Sequence, residues 1–229
     1  MTKTKKLVIF GDKSYAEIVC EYFMHDSLYE VVAFTTEQAY LTKTEFCGLP
    51  VVAFEEVASL YPPEEYEMHV AIVYGQMNRI REKMCAAAKA KGYKLATYVS
   101  SRAFVWRNVQ IGENVFIFED NTLQPFVEIK NNVILWSGNH IGHSSVIENN
   151  VFISSHVVVS GFCNIGHNAF IGVNSAIGNQ VKLGANTWVS PGAIIIGDVP
   201  AGSLVKGAKS DIAPLNEGIL FKKLAMMAE

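Results

Sequence analysis

Three of the six histidines of the chain fall in one window, Trp136 to His156: His140, His143 and His156. An imidazole titrates near neutral pH, so a histidine placed in a cleft serves as a general base. His143 stands two places past an aliphatic residue, Ile141, which belongs to a run of aliphatic residues spaced by six. That phase points the side chain outward. Gly161 lies eighteen residues further on, one full turn of a three-sided, six-residue repeat, so its N–H is expected beside the His143 imidazole. A base next to a bare backbone donor suits acyl transfer: the base takes a proton from the nucleophile while the amide holds the developing oxyanion. His140 is placed to orient its neighbour, and Asn139 and Ser144 are close enough to tune it. His156 sits three places past its own aliphatic slot, on another side of the repeat. His167 shares the phase of His143 on a different side and reads as a surface residue.

The repeat is the element that must position these groups. Every sixth residue from Val99 to Ile195 is aliphatic, seventeen positions without a miss. A period of six is neither the 3.6 of a helix nor the 2 of a plain strand. It marks a hexapeptide β-helix, in which each hexad is one short strand and a turn, and three hexads close a triangular coil. Coils stacked at the inter-strand spacing give a prism on the order of 25 Å tall. Glycine often follows the aliphatic slot, at Gly112, Gly142, Gly166, Gly172, Gly178 and Gly184. Those positions are expected to be corners of positive φ.

Residues 1–98 follow a different pattern. Lys5 to Phe10 is a short apolar run ending at Gly11, and a helix is expected from Ser14 to Phe23 with Ser14 and Glu17 as a capping box. Val31 to Phe34 and His69 to Tyr74 read as further strands. Asn78 to Lys91 reads as a helix with Ile80, Met84, Ala87 and Ala88 inward, stopped by Gly92. Strand, helix and strand in alternation indicate a small parallel α/β domain, with its ligand site expected at the first strand-to-helix loop. That loop carries Gly11, Asp12, Lys13 and Ser14, and its amides are placed to meet a phosphate or sugar at a helix N-terminus. The loop has one glycine where a dinucleotide fingerprint has three, and the second strand ends in Thr35-Thr36 without an acidic residue for a ribose. Nicotinamide redox chemistry is therefore not expected. Residues 99–200 are the β-helix, and 201–229 form a tail in which Asp211 to Met227 is mildly amphipathic, a helical cap for the open end.

Composition narrows the partners. The net charge is −3 with no basic block, so nucleic acid is not expected. No apolar run approaches twenty residues, so no membrane span is expected, and the N-terminus lacks the features of a secretory signal. The four cysteines make no CxxC pair and read as reduced thiols of a cytoplasmic protein. No zinc-ligand spacing is present, and no metal is expected.

Over about 200 residues the chain resembles the bacterial sugar O- and N-acyltransferases of the sialic-acid O-acetyltransferase type. The resemblance implies a small Rossmann-like domain, a left-handed β-helix and a homotrimer. It also implies acetyl-CoA as donor and a nucleotide-linked 4-amino sugar as acceptor. His143 falls on the family base and Gly161 on the glycine whose amide faces the thioester oxygen. Gly11 and Ser14 fall on the nucleotide-sugar loop, with Asp12, Lys13 and Thr35 around it. Asn78 and Arg81 match an N-x-x-R after the third strand. The same resemblance offers His156, Gly161, Lys206 and Lys209 as contacts for coenzyme A, and Ser144 and His140 as aids to the base. The chain departs from the family in three places: its loop is poor in glycine, Ser144 stands where an acidic residue usually follows the base, and Lys206-Gly207-Ala208-Lys209 lacks the usual proline. Three other readings stay open: O-acetylation of a sugar hydroxyl, a β-helix that binds without catalysis, and a zinc hydratase built on His140, His143 and His156.

Overall fold

The computed structural model of the chain describes residues 2–210 and Gly218. The chain opens with strand β1 (Lys5–Phe10), helix α1 (Ser14–His25), strands β2 (Tyr29–Thr36), β3 (Glu45–Phe46) and β4 (Leu49–Ala53), the short helix α2 (Val57–Leu60), strand β5 (Tyr66–Val70) and helix α3 (Arg79–Ala90). The sheet order is β3-β4-β2-β1-β5, parallel throughout except for the β3–β4 pair. The chain runs from β1 to β2 and β4 on one side, then crosses to β5 on the other. The crevice beyond the ends of β1 and β5 is thus the switch point where parallel sheets hold ligands.

Several local expectations shift. Lys13, not Ser14, caps α1, and it makes no side-chain cap bond. The third strand stops at Val70, and Leu95 adds a single bridge to Met68. In α3 the inward residues are Arg81, Met84, Cys85 and Ala88, so the helix is turned to bury an arginine rather than Ile80.

From Tyr98 onward, two-residue strands form three parallel sheets of seven, six and five strands, with partners eighteen residues apart up to Ile195 and sixteen apart in the last pair, Trp188 with Leu204. The sheets are stacked as in a left-handed β-helix. The aliphatic slots fill the interior: Leu123, Ile141, Val159 and Ile177 lie in one column, all essentially without exposure. The glycines after the slot do not have positive φ. A Cβ on Gly142 would sit 2.5 Å from the Ser160 carbonyl carbon and 2.6 Å from the Gly161 nitrogen, and one on Gly166 or Gly172 would also strike the backbone of the next coil. Glycine is required there by close approach of coils. The positive φ falls two residues later, at every sixth residue from Asn114 to Gly192. Six of these fourteen corners are Asn, which tolerates the left-handed region better than most side chains. Asn114 also donates to the Asn132 side chain (2.9 Å), and Asn132 to that of Asn150 (2.7 Å), so one edge of the prism is an amide ladder.

The outer face of the seven-stranded sheet carries the α/β sheet and its helix. Phe116, Ile134, Phe152 and Phe170 pack with Tyr15, Val19 and Phe23 of α1 in a single buried cluster. Phe118 stacks on Trp136, and Phe170 on Trp188. His69 of β5 is 1% exposed in this seam, against the Phe23 and Phe116 rings, with its Nδ1–H donated to Ala96 O at 2.9 Å. Burial lowers its pKa from 6.5 to about 4. The unfolded chain thus binds a proton between pH 6.5 and 4 that the folded chain refuses. Stability is full above pH 6.5 and falls through that window, by about 3 kcal/mol for this group. Urea midpoints measured from pH 7 to pH 4 are expected to fall, and the fall should be shallower in His69→Gln. The helix expected over 211–227 lies outside the described residues, save Gly218.

Candidate active site

His143 lies at the corner between the six- and five-stranded sheets, two residues past the slot that fixes Ile141 inside the prism. The corner geometry turns its side chain outward, and it is exposed. Gly161 occupies the same position one coil on. A Cβ built on Gly161 would stand 2.8 Å from His143 Nε2 and 2.9 Å from Cε1, so the imidazole lies directly over the bare Cα. The Phe162 ring meets the imidazole edge to face, with centroids 4.9 Å apart and an 89° interplanar angle.

The Gly161 amide is free for a structural reason. One coil below, the His143 N–H donates to Gln124 Oε1 at 2.9 Å. The residue that stands in the place of Gln124 for Gly161 is Gly142, which has no side chain to offer. Among the described residues nothing accepts from the Gly161 N–H. An imidazole and an unpaired amide donor therefore sit side by side at one corner, an arrangement chemically able to take a proton and to hold an oxyanion.

The other expected residues divide. Asn139 is 1% exposed and is bound within its corner, accepting from Val157 N–H at 2.8 Å and donating to Trp136 O. Both ends of its amide are thus engaged away from His143. Ser144 takes the left-handed corner conformation at φ 59°, with its N–H on Pro125 O. His140 projects from the six-stranded sheet between Thr122 and Val158. His156 is at the far corner of that sheet, its ring against Gly138. The three histidines do not converge, and the described residues contain no group of three or more His, Cys, Asp or Glu able to hold a metal ion. His167 faces α3, with Nε2 3.5 Å from Glu82 Oε1. Lys206 and Lys209 are exposed beyond the last strand.

At the first loop, Gly11 has φ +122°, and its N–H donates to Thr35 O at 2.8 Å. A Cβ there would meet Ala71 O at 2.9 Å, which fixes glycine at the switch point. Lys13 and Ser14 are exposed. Asp12 is 8% exposed and is held by Lys43, which pairs with its carboxylate at 3.6 Å and donates to its carbonyl at 2.7 Å. Thr35 has no exposure and gives its hydroxyl to Val52 O, so it belongs to the sheet and does not face a ligand.

Asn78 and Arg81 are likewise withdrawn from the crevice, each with 0% exposure. Asn78 donates to Asn168 O and Ala169 O. The Arg81 guanidinium donates to Ile72 O, Val73 O, Asn132 O, Asn150 O and the Asn78 and Asn132 side-chain oxygens. It clamps the end of β5 to the prism through carbonyls alone. Sequence reasoning placed these two residues on a substrate; the separation of Arg81 from its acceptors, by up to 69 residues, hid the clamp.

No protein-family model and no curated protein sequence matches the chain. Solved structures do. The acetyltransferase domain of PglB from Neisseria gonorrhoeae, determined in complex with acetyl coenzyme A, is 25% identical with a TM-score of 0.79, over 90% of this chain and 98% of that one. A second structure of that domain is 26% identical with a TM-score of 0.78, over 88% and 96%. PerB from Caulobacter crescentus, in complex with CoA and GDP-perosamine, shares the fold at 23% identity, with a TM-score of 0.77 over 89% and 95%. The structural neighbours are thus bacterial sugar acetyltransferases. Among the described residues no helix is long and apolar enough to cross a membrane.

Proposed function

We propose that the chain is an acetyl-CoA-dependent N-acetyltransferase acting on a nucleotide-linked amino sugar. The observation that carries this is the His143 imidazole over Gly161, beside an amide that nothing in the described fold satisfies. The likeness to the PglB acetyltransferase domain, over nearly the whole of both chains, supports the donor.

In the mechanism, the amine nitrogen attacks the thioester carbonyl carbon and His143 takes the proton it sheds. The Gly161 N–H donates to the carbonyl oxygen as it gains charge. The C–S bond breaks, the imidazolium returns the proton to the sulfur, and an amide and free coenzyme A result. No acyl-enzyme is required, because a neutral amine is itself a competent nucleophile. The nucleotide is assigned to the switch-point crevice of a Rossmann-like domain over residues 1–98, at Gly11, Lys13 and Ser14. The β-helix over 99–200 carries the donor, with His156, Lys206 and Lys209 as candidate contacts.

A homotrimer in the cytoplasm completes the reading. The outer ladder of the six-stranded sheet carries Phe104, Val158 and Ile194, all exposed and apolar, whereas the seven-stranded face is covered by α1. A second prism on that ladder would wall a donor arm at the His143 corner. Sedimentation is expected to give a trimer; a monomer at micromolar concentration would remove this part.

The reaction is tested by following thiol release from acetyl-CoA across a panel of nucleotide-linked 4-amino and 3-amino sugars. Turnover with one of them is expected, and acetyl-CoA alone should raise the unfolding temperature. A protein that neither turns over a sugar nor is stabilised by acetyl-CoA would be a non-catalytic β-helix.

A further inference from the structure

The base described above lacks the partner that usually orients an imidazole. No carboxylate among the described residues lies within ion-pair distance of His143, and no side chain or carbonyl bonds its ring nitrogens. Ser144 follows it in sequence and makes no hydrogen bond with the ring. What does hold the ring is Phe162, at 4.9 Å and 89°.

Phe162 is also an unusual residue for its place. It sits in the left-handed corner position at φ 56°, which this chain fills with Asn at six places of fourteen and otherwise with Asp, Ser, Gln, His, Gly or Phe. A bulky aromatic residue there is strained, and Phe162 is 55% exposed, so it is not held in place by the core. Phe126, on the same edge at φ 64°, is the one other such phenylalanine. Strain kept at a corner that touches the catalytic side chain points to function. The Phe162 N–H donates to His143 O at 2.9 Å, so the backbone that carries the ring is tied to the backbone that carries the base.

We propose that Phe162 is the positioning residue of the base: its ring pins the His143 imidazole over Gly161, doing by edge-to-face contact what a carboxylate does by hydrogen bonding. This rests on the reading of His143 as general base. Asparagine suits the corner and cannot hold the ring, so Phe162→Asn separates stability from activity. Relief of backbone strain is expected to raise the unfolding temperature by about 2–4 °C. Loss of the pinned ring is expected to lower kcat about 10- to 100-fold, with KM for acetyl-CoA changed by less than about 3-fold. Phe162→Leu, apolar but without an aromatic face, should lose kcat similarly, and Phe162→Tyr should recover it. Phe126→Asn should gain the same stability with native kcat.

A readout without acceptor is the NMR spectrum of histidine-labelled protein. The His143 ring signals should be displaced by the Phe162 ring current in the native protein and return to averaged positions in Phe162→Asn and Phe162→Leu. Unchanged His143 signals in both variants, or native kcat in both while His143→Ala is inactive, would overturn the proposal and leave the base in place. An active His143→Ala would instead remove the base itself, and the positioning role with it.

Discussion

Gly161→Ala should cost about 10²- to 10³-fold in kcat while the unfolding temperature moves by less than about 3 °C. The added Cβ would lie 2.8 Å from His143 Nε2, inside any real contact distance, and 3.2 Å from Asn179 Oδ1. Both neighbours are ends of side chains, and the imidazole is exposed, so the ring swings aside at little cost to the fold. That movement takes the base off the line to the nucleophile and sets a methyl group beside the oxyanion donor. Gly142→Ala is its counterpart in the backbone. There the Cβ strikes the Ser160 carbonyl carbon and the Gly161 nitrogen, which cannot swing, so that variant should lose stability together with activity. Kinetics and thermal unfolding of the two side by side check this. Native kcat in Gly161→Ala would mean that the imidazole does not work from this position.

Arg81→Ala should be the most destabilising change at the seam between sheet and prism, by about 3 kcal/mol or more. Arg81 is a buried cation with no buried carboxylate opposite it. Burial lowers its pKa to about 10, so the cation still persists at neutral pH. Its removal takes the donor from four main-chain carbonyls, buried at Asn132 and Asn150 and part-buried at Ile72 and Val73. For a chain of this length the unfolding temperature should fall by roughly 10 °C. Arg81→Lys should recover little, because an ammonium cannot reach acceptors spread over a planar fork. A drop below about 2 °C in Arg81→Ala would show that the carbonyls find water instead and that the clamp carries little.

The prism was legible because its rule is local and repeated. Any one hexad is ambiguous, but seventeen in phase leave the interior column and the eighteen-residue stacking of His143 on Gly161 no freedom. The corner chemistry was present in the sequence too, in Asn at 114, 132, 150, 168, 174 and 186, one hexad or a few apart. The glycines after the slot drew the eye instead, and their cause is a neighbouring coil that the linear sequence does not display. What stayed hidden is what depends on seating one part against the other. Asn78 and Arg81 look like ligand residues in an N-x-x-R spacing; only the prism carbonyls show them to be structural. Phe162 carries no signal in the sequence, because neither its φ nor the ring that it touches follows from residue spacing. The unpaired Gly161 amide follows from Gly142 in the place of Gln124, a comparison that a sequence allows once the coil is known.

In the proposed mechanism His143 takes the proton while Gly161 holds the oxyanion. The most direct test is acetyl transfer by the native protein and His143→Ala at equal concentration, with coenzyme A release followed against the nucleotide-linked amino sugar that turns over. A loss of at least about 10³-fold in kcat is expected, with the variant folded and still stabilised by acetyl-CoA. A variant that keeps more than about a tenth of native kcat would contradict that mechanism.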